Sequence, residues 1–374
     1  MMKSVRIAWI FVFVSLLCAT TKAETVLQKD SVAALMKRVA AWQMDHYDQH
    51  HSADTNWENG ALFVGMNHWA ALAKALWGDN TYYGWLWKIG QRNEWQLGGR
   101  MYHADDIAVA QTWLALAEVY GGDNRLCDPT IARLDFVTSH PSKAPLDLRN
   151  QRKDNFDRWS WCDALFMAPP VYLKLYLLTG KKKYLTFMNH EYKATTDLLY
   201  DREEHLFFRD ARYFGKLERN GRKTFWGRGN GWVMAGLAEI LRMMPEKKKQ
   251  RKYYVRLFQE MSCRLKDLQQ PDGFWHASLL DPASYPAPET SSTGFITYAL
   301  AFGINAHLLD RVEYLPTVIR GWQAMCSAVF PNGKLGYVQP IGADPQKVTR
   351  DMTEVYGSGA FLALGCEMYH LAEK

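Results

Sequence analysis

An apolar helical pattern recurs six times along this 374-residue chain, and this repeat limits the possible folds more than any other feature. Within each segment, apolar residues return every three to four positions, which is typical of a helix. Each segment opens on a small or acidic residue, and a second, more polar helix is predicted after each one. The openings lie roughly 45 to 70 residues apart, which leaves room for two helices and their loops. The six segments are 59–76, 103–120, 161–178, 229–241, 292–304 and 356–368.

Two observations favour closure of these six helix pairs into a ring. The first helix of each pair is apolar nearly all round, as expected of a helix surrounded by others. The count also stops at six, without an obvious capping unit. The sequence therefore predicts an all-α fold, an (α/α)6 toroid that forms one domain over residues 24–374. An open α-solenoid used for protein binding is the alternative. Residues 198–214 are predicted to hold a short hairpin or a loop with extended pieces.

The N-terminus has the features of a signal peptide over residues 1–23. A basic lead, MMKSVR, precedes the apolar stretch 7–19, and small residues stand at Thr21 and Ala23. We expect cleavage after Ala23 and export to the periplasm or the medium, without stable membrane association afterwards. A retained membrane anchor is the alternative.

Charge and cysteine content exclude several classes of partner and cofactor. The net charge is +6, but the signal peptide contributes three of these charges, so binding to nucleic acid is not expected. The five remaining cysteines are odd in number and widely spaced, which argues against a disulfide framework or a zinc site. No P-loop, dinucleotide fingerprint or GxSxG motif is present. We therefore predict no metal and no cofactor, and the oligomeric state stays open.

Two groups of aspartates are candidates for acid/base chemistry, because a toroid gathers the starts of its inner helices around one cavity. Asp163 follows Trp159 and Trp161, and such apolar surroundings raise the pKa of a carboxyl group, whereas a position at a helix start lowers it, so the sequence leaves the direction of the shift open. A simple helix N-cap is the alternative reading of Asp163. Asp105 and Asp106 are adjacent, so only one of them can face the cavity squarely. Two carboxylates on neighbouring inner helices are the minimum for acid/base work on a sugar.

The segment FWGRGNGW, residues 225–232, predicts a binding surface at the fourth inner helix. Its glycines allow a substrate close to the backbone, and the faces of Trp226 and Trp232 suit sugar rings. The Arg228 guanidinium matches a carboxylate, and Asn230 lies beside it. The alternative is a glycine-rich turn in which the arginine pairs with a buried acid.

Three segments resemble the unsaturated uronyl hydrolases of glycoside hydrolase families 88 and 105, especially the unsaturated rhamnogalacturonyl hydrolases of family 105. They are FWGRGNGWVMAGLAEIL, WSWCDALFMAPPVYLKLY and SLLDPASYPAPETSSTGFITYAL, and the resemblance runs from about residue 57 to the C-terminus. It implies an (α/α)6 barrel that removes a 4,5-unsaturated uronic acid from the non-reducing end of lyase-generated oligosaccharides. In that family an aspartic acid protonates C4 of the vinyl ether and helps a water molecule to add at C5.

The resemblance also assigns roles to individual residues. Asp163 matches the general acid/base, and the second aspartate falls on Asp105 or Asp106, of which we favour Asp105 as catalytic and place Asp106 among the substrate-binding residues. Some relatives carry a histidine where this chain has LFFRD (206–210), so Arg209 takes that position and either suits an extra anionic group or is structural. The full set predicted to bind substrate is Asp106, Trp161, Arg209, Trp226, Arg228, Asn230, Trp232, Tyr356 and Ser358.

The sequence thus predicts an exported hydrolase of anionic unsaturated oligosaccharides, with unsaturated galacturonyl-rhamnose from the pectic polysaccharide rhamnogalacturonan as the expected substrate. Galacturonate and glucuronate are not distinguished. One alternative is an inverting hydrolase of saturated glycosidic bonds on the same barrel. Another is a non-catalytic helical-repeat protein that binds glycans or proteins.

Overall fold

A computed structural model describes residues 27–49, 52–121 and 124–372, and the predicted signal peptide lies outside these residues. The described residues form an inner and an outer layer of α-helices. The outer helices are α1 (Lys29–His46), α3 (Thr81–Arg92), α5 (Asp128–Ser139), α8 (Lys182–Leu199), α10 (Arg251–Asp267) and α12 (Arg311–Ser327). The inner helices are α2 (Trp57–Trp77), α4 (Ala110–Tyr120), the pair α6 (Ala164–Met167) and α7 (Pro169–Thr179), α9 (Gly227–Met243), α11 (Thr290–Asn305) and α13 (Val355–Leu371).

The inner helices form a closed ring, which confirms the predicted (α/α)6 toroid and rules out an open solenoid. Helices α2, α4, α7, α9, α11 and α13 contact one another in that order, and α13 then packs against α2. At this closing seam the two backbones touch, because a Cβ atom added to Gly65 would lie 2.0 Å from the carbonyl oxygen of Gly359. A Cβ added to Gly359 would likewise lie 2.4 Å from the carbonyl oxygen of Ala61. Only glycine fits at such an approach.

The pairing of inner with outer helices differs from the sequence prediction at one place. We expected a polar helix after each of the six segments, but α13 is covered by α1, which precedes the whole ring. Met36 of α1 packs so closely on Gly365 of α13 that an added Cβ would lie 2.6 Å from its sulfur. The sixth helix pair is therefore made from the two ends of the described chain.

Irregular structure occurs where the inner helices begin. Asp105 and Asp106 lie on a short 3₁₀ helix, Ala104–Ile107, ahead of α4. The third inner helix breaks at Ala168, because Pro169 and Pro170 follow and proline has no N–H to continue a helix. The predicted hairpin is present as strands β1 (Tyr200–Asp201) and β2 (Leu206–Phe207), which pair antiparallel. Among the described helices, none is both long enough and apolar enough to cross a membrane.

Candidate active site

A cavity of about 110 Å³ lies where several inner helices begin. Trp57 is the first residue of α2, Asp163 directly precedes α6 and Trp226 directly precedes α9. Five residues predicted from the sequence line this cavity together: Asp105, Trp161, Asp163, Arg209 and Trp226. Its other lining residues are Trp57, Met167, Ile341 and Gly342. The ring thus brings together residues from positions 57 to 342, as the toroid prediction required.

Asp163 occupies the N-cap position of α6, but its side chain makes no capping hydrogen bond. The carboxylate instead accepts a hydrogen bond from the Cys162 thiol at 3.4 Å and lies 3.6 Å from Nε of Arg209. Burial raises the pKa of Asp163, whereas the positive charges of Arg209 and Arg228 oppose this effect. The side chain therefore lines the cavity and does not cap the helix, contrary to the simple N-cap alternative.

Asp105 faces the same cavity, and its side chain is 18% exposed. Burial, together with the negative charge of Asp163, raises the pKa of Asp105 to about 7. Its backbone N–H donates to Nδ1 of His103 at 3.2 Å. Burial also lowers the pKa of His103 to about 4, so this imidazole is neutral near pH 7 and Nδ1 is free to accept. Two coupled carboxyl groups in one poorly solvated cavity hold one proton between them up to about neutral pH.

Asp106 points away from the cavity, so the structure does not place it in the substrate site. Its carboxylate accepts hydrogen bonds from the Arg100 backbone N–H at 2.6 Å and from Arg100 Nε at 3.0 Å and Nη2 at 2.5 Å. Gly98 packs directly against this side chain. Of the two adjacent aspartates, Asp105 lines the cavity and Asp106 does not.

Arg228 is completely buried and does not line the cavity. Its Nη1 donates to the carbonyl oxygen of Gln339 at 2.5 Å and to the Tyr356 hydroxyl at 3.2 Å, and Nη2 donates to the carbonyl oxygen of Pro340 at 2.9 Å. The guanidinium is sandwiched between the rings of Trp226 and Tyr356, 4.5 Å and 4.9 Å away. Both terminal nitrogens are occupied by the protein, so the geometry supports neither a carboxylate clamp nor the alternative of a buried acid partner.

Arg209 is the cation that lines the cavity, and its side chain is 14% exposed. Nη1 donates to Asp210 at 2.7 Å, whereas Nε has no hydrogen-bond partner among the described residues. Burial opposes its positive charge, but the carboxylates of Asp163 and Asp210 outweigh this effect and raise the pKa of Arg209. Nε is buried beside the Asp163 carboxylate, 3.6 Å from Oδ2, so the charged guanidinium lines the cavity next to the carboxyl pair.

Four further residues predicted to bind substrate lie behind the cavity wall rather than on it. Asn230 is buried, and its amide bonds the backbone of Phe207 and Trp226. Trp232 is buried against Phe295, with ring centroids 4.2 Å apart. The Tyr356 hydroxyl donates to the carbonyl oxygen of Gln339, and Ser358 is completely buried. These side chains hold the wall in place but do not reach the ligand space.

Four lining residues were missed by sequence reasoning. Trp57 lies two residues before the first repeat and stacks on Tyr356, with ring centroids 5.4 Å apart. Its position at the start of an inner helix is a signal that could have identified it. Met167 lies inside a predicted helix, whereas Ile341 and Gly342 lie on a loop without periodicity, so no pattern pointed to them.

The arrangement suits acid/base chemistry on an anionic sugar ring. The carboxyl pair supplies and accepts a proton, Arg209 attracts a negative charge, and Trp57, Trp161 and Trp226 offer flat apolar surfaces for a ring. The nearby Cys162 thiol is buried, which raises its pKa well above the usual range, so it is no nucleophile. The described residues include no cluster of three or more His, Cys, Asp or Glu side chains that suits a metal ion.

Comparison with known proteins gives matches over nearly the whole ring. The model of Glycosyl Hydrolase Family 88 matches residues 35–372. A Formosa agariphila protein named unsaturated 3S-rhamnoglycuronyl hydrolase is 38% identical over 370 residues, which cover 94% of each chain. A solved structure described as a glycosyl hydrolase family 88 protein from Bacteroides vulgatus has a TM-score of 0.81 and 29% identity, and the match covers 92% of this chain and 99% of that one. A second solved structure, described as a polysaccharide lyase, has a TM-score of 0.81 and 31% identity, with 92% and 98% of the two chains covered. Every residue of the cavity lies inside these matched regions.

Proposed function

The chain belongs to Glycosyl Hydrolase Family 88 and is a glycoside hydrolase. We propose that it removes a 4,5-unsaturated uronic acid from the non-reducing end of lyase products in which this uronic acid is linked to rhamnose. The observation that carries this proposal is the joint presence of Asp105, Asp163 and Arg209 in one cavity walled by tryptophans. The name of the Formosa agariphila relative supports rhamnose as the neighbouring sugar. The expectation of galacturonate from pectin stays a prediction.

The uronate carboxylate binds Arg209 in this proposal. Arg209 lines the cavity, whereas Arg228 is completely buried behind it and both of its terminal nitrogens are bonded to the protein. A charged donor in a poorly solvated site favours a carboxylate strongly. Arg209 also lies 3.6 Å from Asp163, so a ring held by its carboxylate has its C5 close to the catalytic pair.

The proton held by the carboxyl pair starts the reaction. The acid donates this proton to C4 of the vinyl ether, and positive charge develops at C5. The carboxylate that remains takes a proton from a water molecule whose oxygen adds to C5. The resulting hemiketal opens to a ketone, and the former ring oxygen becomes the hydroxyl of a hemiacetal at C1. That hemiacetal collapses and releases the rhamnose with its own hydroxyl group, so one water molecule is consumed and the proton is returned.

A spectroscopic assay tests this function directly, because hydration destroys the conjugated double bond that absorbs in the ultraviolet. We expect the absorbance of lyase-generated disaccharides to fall when the purified protein is added, and to stay constant with the Asp163→Asn variant. Constant absorbance with the wild-type protein on every unsaturated uronyl substrate would rule the proposal out.

A second candidate function is polysaccharide lysis, which the description of one structural neighbour favours. A lyase abstracts the C5 proton of a uronate and creates the double bond, so absorbance would rise on an intact polysaccharide. Hydrolysis of saturated bonds would leave absorbance unchanged while reducing ends appear. The sign of the absorbance change therefore separates the proposed reaction from lysis, and an assay of reducing ends detects hydrolysis of saturated bonds.

We further propose that the enzyme acts outside the cytoplasm, since the sequence over residues 1–23 has the basic, apolar and small-residue regions of a signal peptide. N-terminal sequencing of the protein isolated from its native cells is expected to begin at Glu24. An N-terminus at Met1 or Met2 would contradict export by cleavage.

A further inference from the structure

One wall of the cavity is formed by residues 339–342, a segment that we call the strap. Gln339 anchors it through every polar group of the residue. Its backbone N–H donates to Glu289 at 3.0 Å, and its carbonyl oxygen accepts from Arg228. Its side-chain oxygen accepts from Trp226 Nε1 at 3.2 Å, and its side-chain nitrogen donates to the carbonyl oxygen of Asp344 at 3.0 Å.

The anchored strap presents Ile341 at the cavity mouth. Ile341 lines the cavity together with Asp105 and Asp163, yet its side chain is 54% exposed. Other exposed large apolar residues in the described part of the chain, such as Val312 on α12 at 86%, do not line this cavity. An apolar side chain that lines the cavity and is open to solvent is available to cover apolar surface on a ligand.

The direction of the reaction decides which part of the substrate meets Ile341. The unsaturated ring must enter the cavity, since its C4 and C5 react with the carboxyl pair. The leaving sugar is attached at C1 of that ring and therefore extends outward, towards the mouth. The residue at the mouth contacts the leaving sugar rather than the unsaturated one.

We propose that Ile341, which lines the cavity and is 54% exposed, selects a 6-deoxy leaving sugar by packing against its methyl group, an inference that rests on the proposed function. A 6-deoxyhexose such as rhamnose carries a methyl group where most hexoses carry a hydroxymethyl group. Packing of the methyl group against Ile341 is favourable because it removes apolar surface from water. A hydroxymethyl group in the same place would lose hydrogen bonds to water and gain none from Ile341. The strap therefore discriminates between leaving sugars that differ by one hydroxyl group.

The test uses two synthetic disaccharides that differ only in a methyl or a hydroxymethyl group at C5 of the leaving sugar. We expect the wild-type enzyme to prefer the methyl substrate about tenfold in kcat/KM, the lower end of what one small group gives in an apolar contact. Ile341→Thr places a hydroxyl group at the contact and is expected to reduce this preference to less than about threefold. Ile341→Leu keeps the apolar contact and is expected to retain the preference.

Val312→Thr is the matched control, because it makes the same kind of change on an exposed apolar residue away from the cavity. It should keep the tenfold preference, and thermal unfolding should show that all variants fold. Turnover of both substrates at equal rates by the wild type, or a preference that survives Ile341→Thr, would overturn the role of Ile341 while leaving the proposed function intact. No turnover of either substrate would instead overturn the proposed function.

Discussion

Replacement of Arg209 by glutamine separates the two arginines that compete for the role of carboxylate clamp. The variant removes the positive charge from the cavity but keeps a side chain that forms hydrogen bonds. One charge-assisted hydrogen bond contributes about 1.5 to 3 kcal/mol, and the Arg209 guanidinium lines the cavity where the substrate carboxylate is proposed to bind. Loss of one bond corresponds to a rise in KM of about 10- to 150-fold. Because the carboxylate persists throughout the reaction, we expect kcat to change much less than KM.

Steady-state kinetics by the loss of ultraviolet absorbance measures both constants. Arg212→Gln is the matched control, since Arg212 binds the same Asp210 carboxylate at 2.9 Å but does not line the cavity. This control removes an equal charge from the same carboxylate, so an unchanged KM would show that the effect of Arg209→Gln comes from the substrate contact.

Arg228→Gln is expected to act on stability instead. The completely buried guanidinium makes three hydrogen bonds to the strap and Tyr356, and their loss is expected to lower the free energy of unfolding by about 3 to 5 kcal/mol. A different result would refute this reasoning: an unchanged KM in Arg209→Gln, combined with a raised KM and an unchanged unfolding temperature in Arg228→Gln. Arg228 would then be the clamp, as the sequence alone predicted.

Three other predictions concern the carboxyl pair and the seam of the ring. Asp163→Asn is expected to lower kcat by about 10²- to 10⁴-fold without lowering the unfolding temperature, whereas Asp106→Asn breaks only the Arg100 contacts and should keep most of the turnover. The activity should fall as the pH rises through about 7, where the proton leaves the pair. Because the pKa of Asp105 is about 4 in the unfolded chain and about 7 in the folded one, the free energy of unfolding falls as the pH rises from about 4 to about 7 and stays low above it, so Asp105→Asn should be more stable than the wild type by up to about 4 kcal/mol in denaturant unfolding at pH 8. Gly359→Ala should destabilise the ring by about 1 to 3 kcal/mol, since its Cβ meets backbone, while Gly84→Ala on α3 meets no atom within 4 Å and should be neutral or stabilising in the same thermal unfolding measurement.

Much of the architecture was predictable because the inner helices carry a strong periodic signal. A helix such as α9, whose residues from Gly227 to Leu241 are all buried, leaves an uninterrupted apolar run from Trp232 to Ala238 in the sequence. The pairing of α1 with α13 was not predictable in this way, because periodicity reports that a face is buried but not which distant segment covers it.

The site was predictable in its carboxylates and less so in its binding residues. Asp163 and Asp105 combine residue type with a position at the start of an inner helix, and both face the cavity. Arg228 has the composition of a ligand-binding residue, but its partners are carbonyl oxygens of residues 339 and 340, more than a hundred positions away. No local sequence pattern predicts such a contact. Ile341 was missed for the same reason, since a loop anchored by one glutamine carries no periodicity.

The pairing of α1 with α13 has a consequence for biosynthesis. Among the described helices, α1 is translated first, yet α13, which covers its apolar face, is translated last. The ring therefore cannot be completed one hairpin at a time, and the apolar face of α1 stays uncovered until α13 has been synthesised. The same adjacency makes the protein a good subject for circular permutation: a gene that starts at α2 and joins α13 to α1 by a short linker would encode the same ring with each helix pair synthesised as a unit.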